Sequence, residues 1–151
     1  MPVNNFFKIS EATSLAMHTM ALMASEPEKI ISAKESASFL NVSEAHLAKV
    51  LQRLSQAGYV NSTRGPKGGF LLVKSPDEVT LLDIYELIEG KIEERECLLD
   101  HPICKNSSCM FGDGLRRMNR EIKEHLSKTT LSEAKIYLGG NSNDEKRDNR
   151  D

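Results

Sequence analysis

The feature that most constrains the fold is a glycine- and proline-rich stretch, YVNSTRGPKGGFLLV, at positions 59–73. Strand-forming residues on both sides of the central Gly-Pro turn favour two short strands joined as a hairpin. Helical patterns come directly before and after this stretch, so the hairpin is not part of a larger predicted sheet. The stretch therefore predicts a small β-wing attached to a helical body.

Three helical segments precede the hairpin in close succession. Residues 10–24 have the pattern of an amphipathic helix that begins after Ser10 as N-cap, and residues 33–40 form a short helix. The apolar stripe of the first helix consists of Leu15, Ala16, Met20 and Met23. After a tight turn, Ser43 is placed to cap a helix over 44–57, which Gly58 ends. A helix, a tight turn, a second helix and a Gly-rich hairpin follow the order of a winged helix-turn-helix.

Two further helices are predicted after the wing, over residues 79–89 and 113–127. The second is charged except for one stripe, which suits packing against a partner helix. Its members are Leu115, Met118, Ile122 and Leu126. A capping box at 130–133 predicts a short last helix, and the polar tail from Gly139 is predicted to be disordered.

The predicted fold class is mainly α with a small β-hairpin wing: a winged helix-turn-helix plus a long C-terminal dimerisation helix. Four segments follow: a DNA-binding domain (1–90), a cysteine-rich loop (91–111), a dimerisation helix with the short last helix (112–138) and a tail (139–151).

Charge is divided unevenly along the chain, although the net charge is only −2. Residues 1–75 carry 8 Lys/Arg against 5 Asp/Glu, whereas residues 76–151 carry 12 against 17. A basic front half and an acidic back half fit a DNA-reading module joined to a control module. A chance asymmetry of surface charge is the alternative.

Several functional classes are not expected. The sequence has no P-loop, GxGxxG, HExxH or Ser/His/Asp order, so an enzyme is not predicted. Because no apolar stretch approaches about 18 residues and the N-terminus lacks signal-peptide features, we expect a cytoplasmic protein without a membrane partner. A protein-interaction adaptor stays open, since fold alone does not fix function.

Candidate DNA-reading residues lie on the second helix and at the wing tip. The outward face of that helix meets base edges and phosphates in a winged helix-turn-helix. Glu accepts from cytosine, His and Ala contact base edges or a thymine methyl, and Lys and Arg suit phosphate or guanine. The predicted contacts to double-stranded promoter DNA are Glu44, Ala45, His46, Lys49, Arg53, Arg64 and Lys67. A merely solvated charged face is the alternative.

All three cysteines, Cys97, Cys104 and Cys109, lie within thirteen residues in the spacing C-x6-C-x4-C. Clustered cysteines in a cytosolic protein bind metal or react more often than they form structural disulfides. Soft thiolates select iron–sulfur clusters, zinc or Cu(I). The residues alone leave open a cluster, a zinc site and a redox-active thiol switch.

The run LSQAGYVNSTRGPKGGFLLVKSPDEVTLLDIYELIEG resembles the winged-helix iron–sulfur transcription regulators typified by IscR and NsrR (Rrf-type regulators). The resemblance covers roughly residues 8–138 and includes a wing of the form RGPxGGY/F. It implies a homodimer whose C-terminal helix crosses its partner, with Arg64 and the first turn of the 44–57 helix contacting DNA. It also implies a [2Fe–2S] or [4Fe–4S] cluster on the three cysteines that senses nitric oxide, redox state or iron and cluster status.

The fourth ligand is where this chain departs from the resemblance. Family members usually have five residues in each gap between cysteines, and the six-and-four spacing leaves the cluster type open. IscR-type members use a histidine where this chain has Gly112; others use an acidic residue of the partner's N-terminal helix, which aligns with Ser14. His18, one turn further, is the predicted ligand. The alternatives are His101, Glu11, Asp113, an exogenous ligand, or an ordinary surface role for His18.

Overall fold

The computed structural model describes residues 7–93, 97–104, 109–111 and 113–134. Its elements in chain order are α1 (Glu11–Ser25), α2 (Ala33–Leu40), α3 (Glu44–Gln56), β1 (Val60–Thr63), β2 (Gly69–Leu72), α4 (Leu81–Glu89) and α5 (Gly114–Lys128). For these five helices, each predicted bound lies within two residues of the observed one. The predicted mainly helical fold with a two-stranded hairpin is confirmed.

Hydroxyl side chains set the starts of the first four helices. Ser10, Ser32 and Ser43 each accept a hydrogen bond from the backbone amide three residues on. Thr80 and Asp83 form a reciprocal capping box at α4. These bonds satisfy amides that have no partner inside the helix, which is why the helix starts could be found from the sequence.

The core lies between α1, α3 and the hairpin. The predicted stripe of α1 is buried, with Leu15, Ala16, Met20 and Met23 each at most 5% exposed. Leu131, which follows α5, is fully buried in the same core, and its amide donates to Val79 O. The C-terminal end of α5 is therefore fixed to the winged helix. Among the described residues no helix is long and apolar enough to cross a membrane.

The wing packs against the segment between α1 and α2. Strands β1 and β2 pair antiparallel from Val60 opposite Leu72 to Thr63 opposite Gly69. Ile31 and Phe70 exchange two backbone hydrogen bonds of 3.0 and 2.9 Å, which extends the pairing beyond the hairpin. The base of the wing is thereby tied to the helical body.

Gly69 is required where β2 approaches Ile31. A Cβ at this position would lie 2.6 Å from the carbonyl oxygen of Ile31, which is backbone and has no rotamer to change. We expect Gly69→Ala to lower the free energy of unfolding by about 2–4 kcal/mol, through overpacking and weakened Ile31–Phe70 hydrogen bonds. Urea unfolding followed by circular dichroism measures this loss.

Gly114→Ala is the matched control, because a Cβ there meets no atom within 4 Å. We expect its stability to stay within about 0.5 kcal/mol of the parent chain. Equal stabilities of the two alanine variants would contradict the close approach at Gly69.

The apolar stripe of α5 divides between two environments. Leu115 and Leu126 are buried within the chain, whereas Met118 is 61% exposed. Met118 and Ile122 line an open groove with Phe7, whose ring stacks on that of Tyr85 at 5.2 Å. Two of the four stripe residues, Leu115 and Leu126, are thus already buried within one chain. Of the predicted last helix, residues 130–134 form a turn; the remainder and the predicted tail lie outside the described residues.

Candidate DNA-binding surface and cysteine loop

Helix α3 has one apolar face in the core and one polar face in solvent. Leu47, Leu51 and Leu54 are at most 1% exposed. Among the predicted DNA contacts, Glu44, Ala45 and Lys49 are exposed and His46 is half-buried. Asn41 (φ 54°) adopts the left-handed conformation that makes the tight turn from α2 into α3.

His46 also contacts α1. Its Nδ1 lies 3.6 Å from the Glu11 carboxylate oxygen Oε1. The first turns of α1 and α3 are therefore adjacent. Glu11 was predicted only as an alternative cluster ligand, but it lies beside the first turn of α3, which is predicted to contact DNA.

Arg53 differs from the other predicted DNA contacts. Its Nη2 donates to the carbonyl oxygens of Leu87 at 3.1 Å and Ile88 at 3.3 Å, in the last turn of α4. The sequence assigned this residue to DNA because it lies one turn beyond Lys49 on the same helix. Nothing in the local pattern reveals a partner 34 residues away.

The wing tip presents two cations in a turn held by its own hydrogen bonds. Arg64 and Lys67 are exposed. Gly65 has φ 109°, and the Gly68 amide donates to its carbonyl oxygen at 2.9 Å. Glycine supplies this conformation without strain. Two exposed cations on a short turn suit phosphate or minor-groove contacts.

Glu89 is a buried acid that the sequence did not single out. Its side chain is 8% exposed, and its Oε1 accepts from the Ser10 amide at 2.9 Å and the Thr13 hydroxyl at 2.6 Å. Lys8 Nζ lies 3.8 Å from Oε2. Burial raises the pKa of Glu89, but the hydrogen bonds from Ser10 and Thr13 outweigh it, so the pKa lies below its usual value. These contacts span almost 80 residues, so no sequence spacing indicates them.

The three cysteines are free thiols in an irregular loop. Cys97 and Cys109 are half-buried, and Cys104 is exposed. The amides of Leu99 and Phe111 each donate to the sulfur of the cysteine two residues earlier, at 3.4 Å. Such N–H···S bonds tune the properties of sulfur that binds metal. In the part of the chain that the structure describes, no three His, Cys, Asp or Glu side chains form a group able to hold a metal ion.

His18 is exposed on α1, and one of its ring nitrogens is bonded to the backbone. Its Nδ1 lies 2.7 Å from the carbonyl oxygen of Ser14. Because a carbonyl only accepts, Nδ1 is the donor in this bond, and Nε2 is the ring nitrogen that takes no part in it. Metal-binding histidines have this arrangement, in which one nitrogen donates to a carbonyl and the other binds the metal.

Comparison with known proteins places this arrangement among transcription regulators. The family model Rrf2, described as an iron-dependent transcriptional regulator, matches residues 9–134. The chain is 37% identical over 129 residues to the helix-turn-helix transcriptional regulator BadM of Rhodopseudomonas palustris, covering 85% of this chain and 78% of the relative. It is 26% identical over 133 residues to the regulator NsrR of Halalkalibacterium halodurans, covering 83% and 90%.

A solved structure agrees with the fold. CymR, the global cysteine regulator of Bacillus subtilis, superposes with a TM-score of 0.70 at 33% identity, covering 84% of this chain and 95% of that one. The family is one of transcription regulators and not of enzymes, as the sequence predicts. With the winged helix-turn-helix, its wing and the family match in agreement, the chain belongs to the Rrf2 family of transcription regulators.

Proposed function

We propose that this regulator acts as a homodimer, reads promoter DNA with α3 and the wing, and changes its DNA affinity through an iron–sulfur cluster on Cys97, Cys104 and Cys109. The observation that carries the DNA part is the division of α3, whose apolar side is fully buried and whose N-terminal polar side is exposed. Glu44, Ala45, His46 and Lys49 supply groups for base edges and phosphates.

The wing contributes cations to the same task. We expect the double variant Arg64→Gln, Lys67→Gln to bind promoter DNA about 10–100-fold more weakly at about 100 mM salt, because it loses two contacts to DNA phosphates. The slope of log affinity against log salt concentration should also become shallower by about one for each lost contact. Fluorescence anisotropy over a series of salt concentrations measures both quantities.

Lys128→Gln is the control, since Lys128 is a similarly exposed cation that pairs with Glu124 on α5. It should bind like the parent chain. An unchanged affinity and salt slope in the wing variant would exclude the wing from the DNA surface. If the parent chain shows no sequence-selective shift at low salt, the adaptor function is favoured.

The second copy is proposed to cover the groove between Met118, Ile122 and Phe7. This groove continues the apolar stripe of α5, and Met118 is exposed there although Leu115 and Leu126 on the same stripe are buried. Apolar side chains at helical spacing on a charged helix suit a helix–helix contact between copies. Sedimentation of the full chain measures the oligomeric state.

The chemistry of the three cysteines fits an iron–sulfur group. Three thiols lie together in the sequence, and two already accept amide hydrogen bonds. Among the described residues of one chain, no three His, Cys, Asp or Glu side chains are grouped closely enough to hold a metal ion, so the three sulfurs would have to come closer together to hold a cluster. His18 of the partner is proposed as the fourth ligand, through Nε2, the ring nitrogen that is not bonded to Ser14.

A bound iron–sulfur cluster supplies a redox-active centre that oxidants or nitric oxide modify. The chain's own residues would hold it by three thiolates, with the Leu99 and Phe111 amides donating to two of the sulfurs. A ligand from α1 would link the loop to the helix whose first turn contacts His46. DNA binding is then regulated when two geometries of the DNA-binding helices hold the cluster with different affinities.

Iron and acid-labile sulfide analysis of anaerobically purified protein tests the cluster directly. We expect a brown protein with iron and sulfide in equal amounts. A colourless protein with one zinc per chain would replace the cluster with a zinc site.

One observation favours a second candidate, a thiol switch without metal. Cys104 is exposed and the sulfurs are not gathered. A colourless, metal-free protein whose DNA affinity responds to a mild oxidant would establish this candidate in place of the cluster.

A further inference from the structure

The first turn of α1 lies against the first turn of α3, which is the turn proposed to read DNA. The carboxylate oxygen Oε1 of Glu11 is 3.6 Å from Nδ1 of His46. The side chain of Glu11 is 71% exposed and that of His46 is 38% exposed, so the pair lies at the edge of the surface that α3 presents to solvent. This contact connects a helix outside the helix-turn-helix to one of the proposed base contacts.

The main chain that carries Glu11 is held by hydrogen bonds on both sides of this residue. Ser10, which precedes it, is the N-cap of α1, and its amide donates to Glu89 Oε1 at 2.9 Å. Thr13, two residues later, donates its hydroxyl to the same oxygen at 2.6 Å. The Glu89 side chain is only 8% exposed, so these bonds are sheltered from water. Only the side-chain torsions of Glu11 remain to place its carboxylate.

The backbone of His46 is fixed by the N-cap of α3, but its ring is not. The His46 amide donates to the hydroxyl of Ser43 at 3.4 Å, and this bond leaves the ring free to rotate about its side-chain torsions. The contact with Glu11 restricts that rotation because it keeps Nδ1 on the side of α1. The two ring nitrogens diverge, so Nε2 points away from Glu11 and can bond to a base edge or a phosphate.

The contact between Glu11 and His46 contributes little to folding. Its separation of 3.6 Å exceeds the length of a hydrogen bond, and exposed ion pairs add little stability. An acid in the first turn of a helix also interacts favourably with the helix dipole, which gives Glu11 a small role within α1. Orientation of the ring matters more for recognition, because a side chain that is already placed loses less freedom when it meets a base.

We infer that Glu11 is a positioning residue for DNA recognition, which holds the ring of His46 so that Nε2 meets one base pair of the recognised sequence. The inference rests on the proposed function, since it requires α3 to read DNA. Glu11 then acts on selectivity and on general affinity in opposite directions. A carboxylate beside DNA repels phosphates and weakens binding to every sequence, whereas an oriented His46 favours only the recognised one.

The test measures the selectivity of a Glu11→Ala protein with two duplexes of equal length. The parent chain selects one duplex from a random-sequence pool, and the other has an unrelated sequence. Fluorescence anisotropy with the anaerobically purified full chain, at one fixed salt concentration, gives the ratio of the dissociation constants for the unrelated and the selected duplex. We expect this ratio to fall about 3–10-fold in Glu11→Ala, while the unrelated duplex is bound at least as tightly as by the parent chain.

Two further comparisons separate positioning from other roles of Glu11. In a His46→Ala background, Glu11→Ala should leave the ratio unchanged, because the ring that Glu11 holds is gone; the four proteins form a double-mutant cycle. Glu35→Ala is the matched control, since Glu35 is an acid in the first turn of α2 whose partner is Lys29 and not a histidine. It should keep the ratio of the parent chain.

A Glu11→Ala protein that keeps the parental ratio overturns the inference. Equal weakening on both duplexes would then indicate a structural role in α1, and equal tightening would indicate repulsion of phosphates alone. A fall in the ratio that persists in the His46→Ala background also overturns it, because Glu11 would then act without His46. A parent chain that selects no sequence overturns DNA reading by α3 and the inference with it, whereas the other outcomes leave the proposed function intact.

Discussion

A Cys104→Ala protein is expected to contain no iron–sulfur cluster and to bind promoter DNA with one affinity, whatever treatment it receives. Cys104 is the exposed member of the three thiols, so its loss should leave folding stability within about 0.5 kcal/mol of the parent chain. The proposed site needs all three thiolates. The two cysteines and one histidine that remain in the variant would hold a cluster poorly. Iron and sulfide per chain, and anisotropy before and after cluster removal, measure the two effects.

Ile103→Ser is the matched control, because Ile103 is the preceding residue and is 76% exposed without carrying sulfur. It should keep the iron content and the response of the parent chain. Cluster-responsive DNA binding by Cys104→Ala would refute the three-cysteine site, whereas iron loss in both variants would attribute the effect to the loop's conformation.

Mixing two defective chains is expected to restore half of the cluster content, provided that His18 is supplied by the partner. His18→Ala and Cys104→Ala homodimers should each contain little cluster. In the mixed dimer, one site combines an intact loop with an intact His18, and the other site has both defects. Because one site of two is complete, the mixed dimer should hold about half the iron of the parent dimer; the half follows from the two-fold symmetry of such dimers.

Co-expression with two different affinity tags isolates the mixed dimer for iron and sulfide analysis. A ligand taken from the same chain leaves both sites with one defect each, so no iron would be recovered. Full iron in the His18→Ala homodimer would instead exclude His18 and leave His101, Glu11, Asp113 or an exogenous ligand as the candidates.

Local chemistry made most of the fold predictable. The caps at Ser10 and Ser43, the Gly58 stop and the Gly-Pro turn of the wing act within a few residues, so their effects are visible in the sequence. The burial of α1 also followed from the four- and three-residue spacing of Ala16, Met20 and Met23. These features depend on periodicity and on backbone hydrogen bonds, which neighbouring residues decide.

The residues that sequence reasoning missed act across the fold. Glu89 contacts Ser10, and Arg53 contacts Leu87, only after the helices pack together. From the helical pattern alone, Arg53 is predicted to be an ordinary solvent-exposed cation. The sequence predicts one continuous partner-facing stripe on α5, yet Leu126 packs inside the chain and Met118 does not. Which member of a stripe stays exposed depends on the crossing of α4 and α5, which spacing alone does not specify.

The central claim is that one loop, holding three cysteines, sets the DNA affinity of this regulator. The most direct measurement is the dissociation constant for promoter DNA of a single anaerobic preparation, before and after its cluster is removed by a chelator, at one fixed salt concentration. We expect the two dissociation constants to differ about tenfold or more, equivalent to about 1.4 kcal/mol. Equal dissociation constants in a preparation shown to hold and then lose its iron would contradict it.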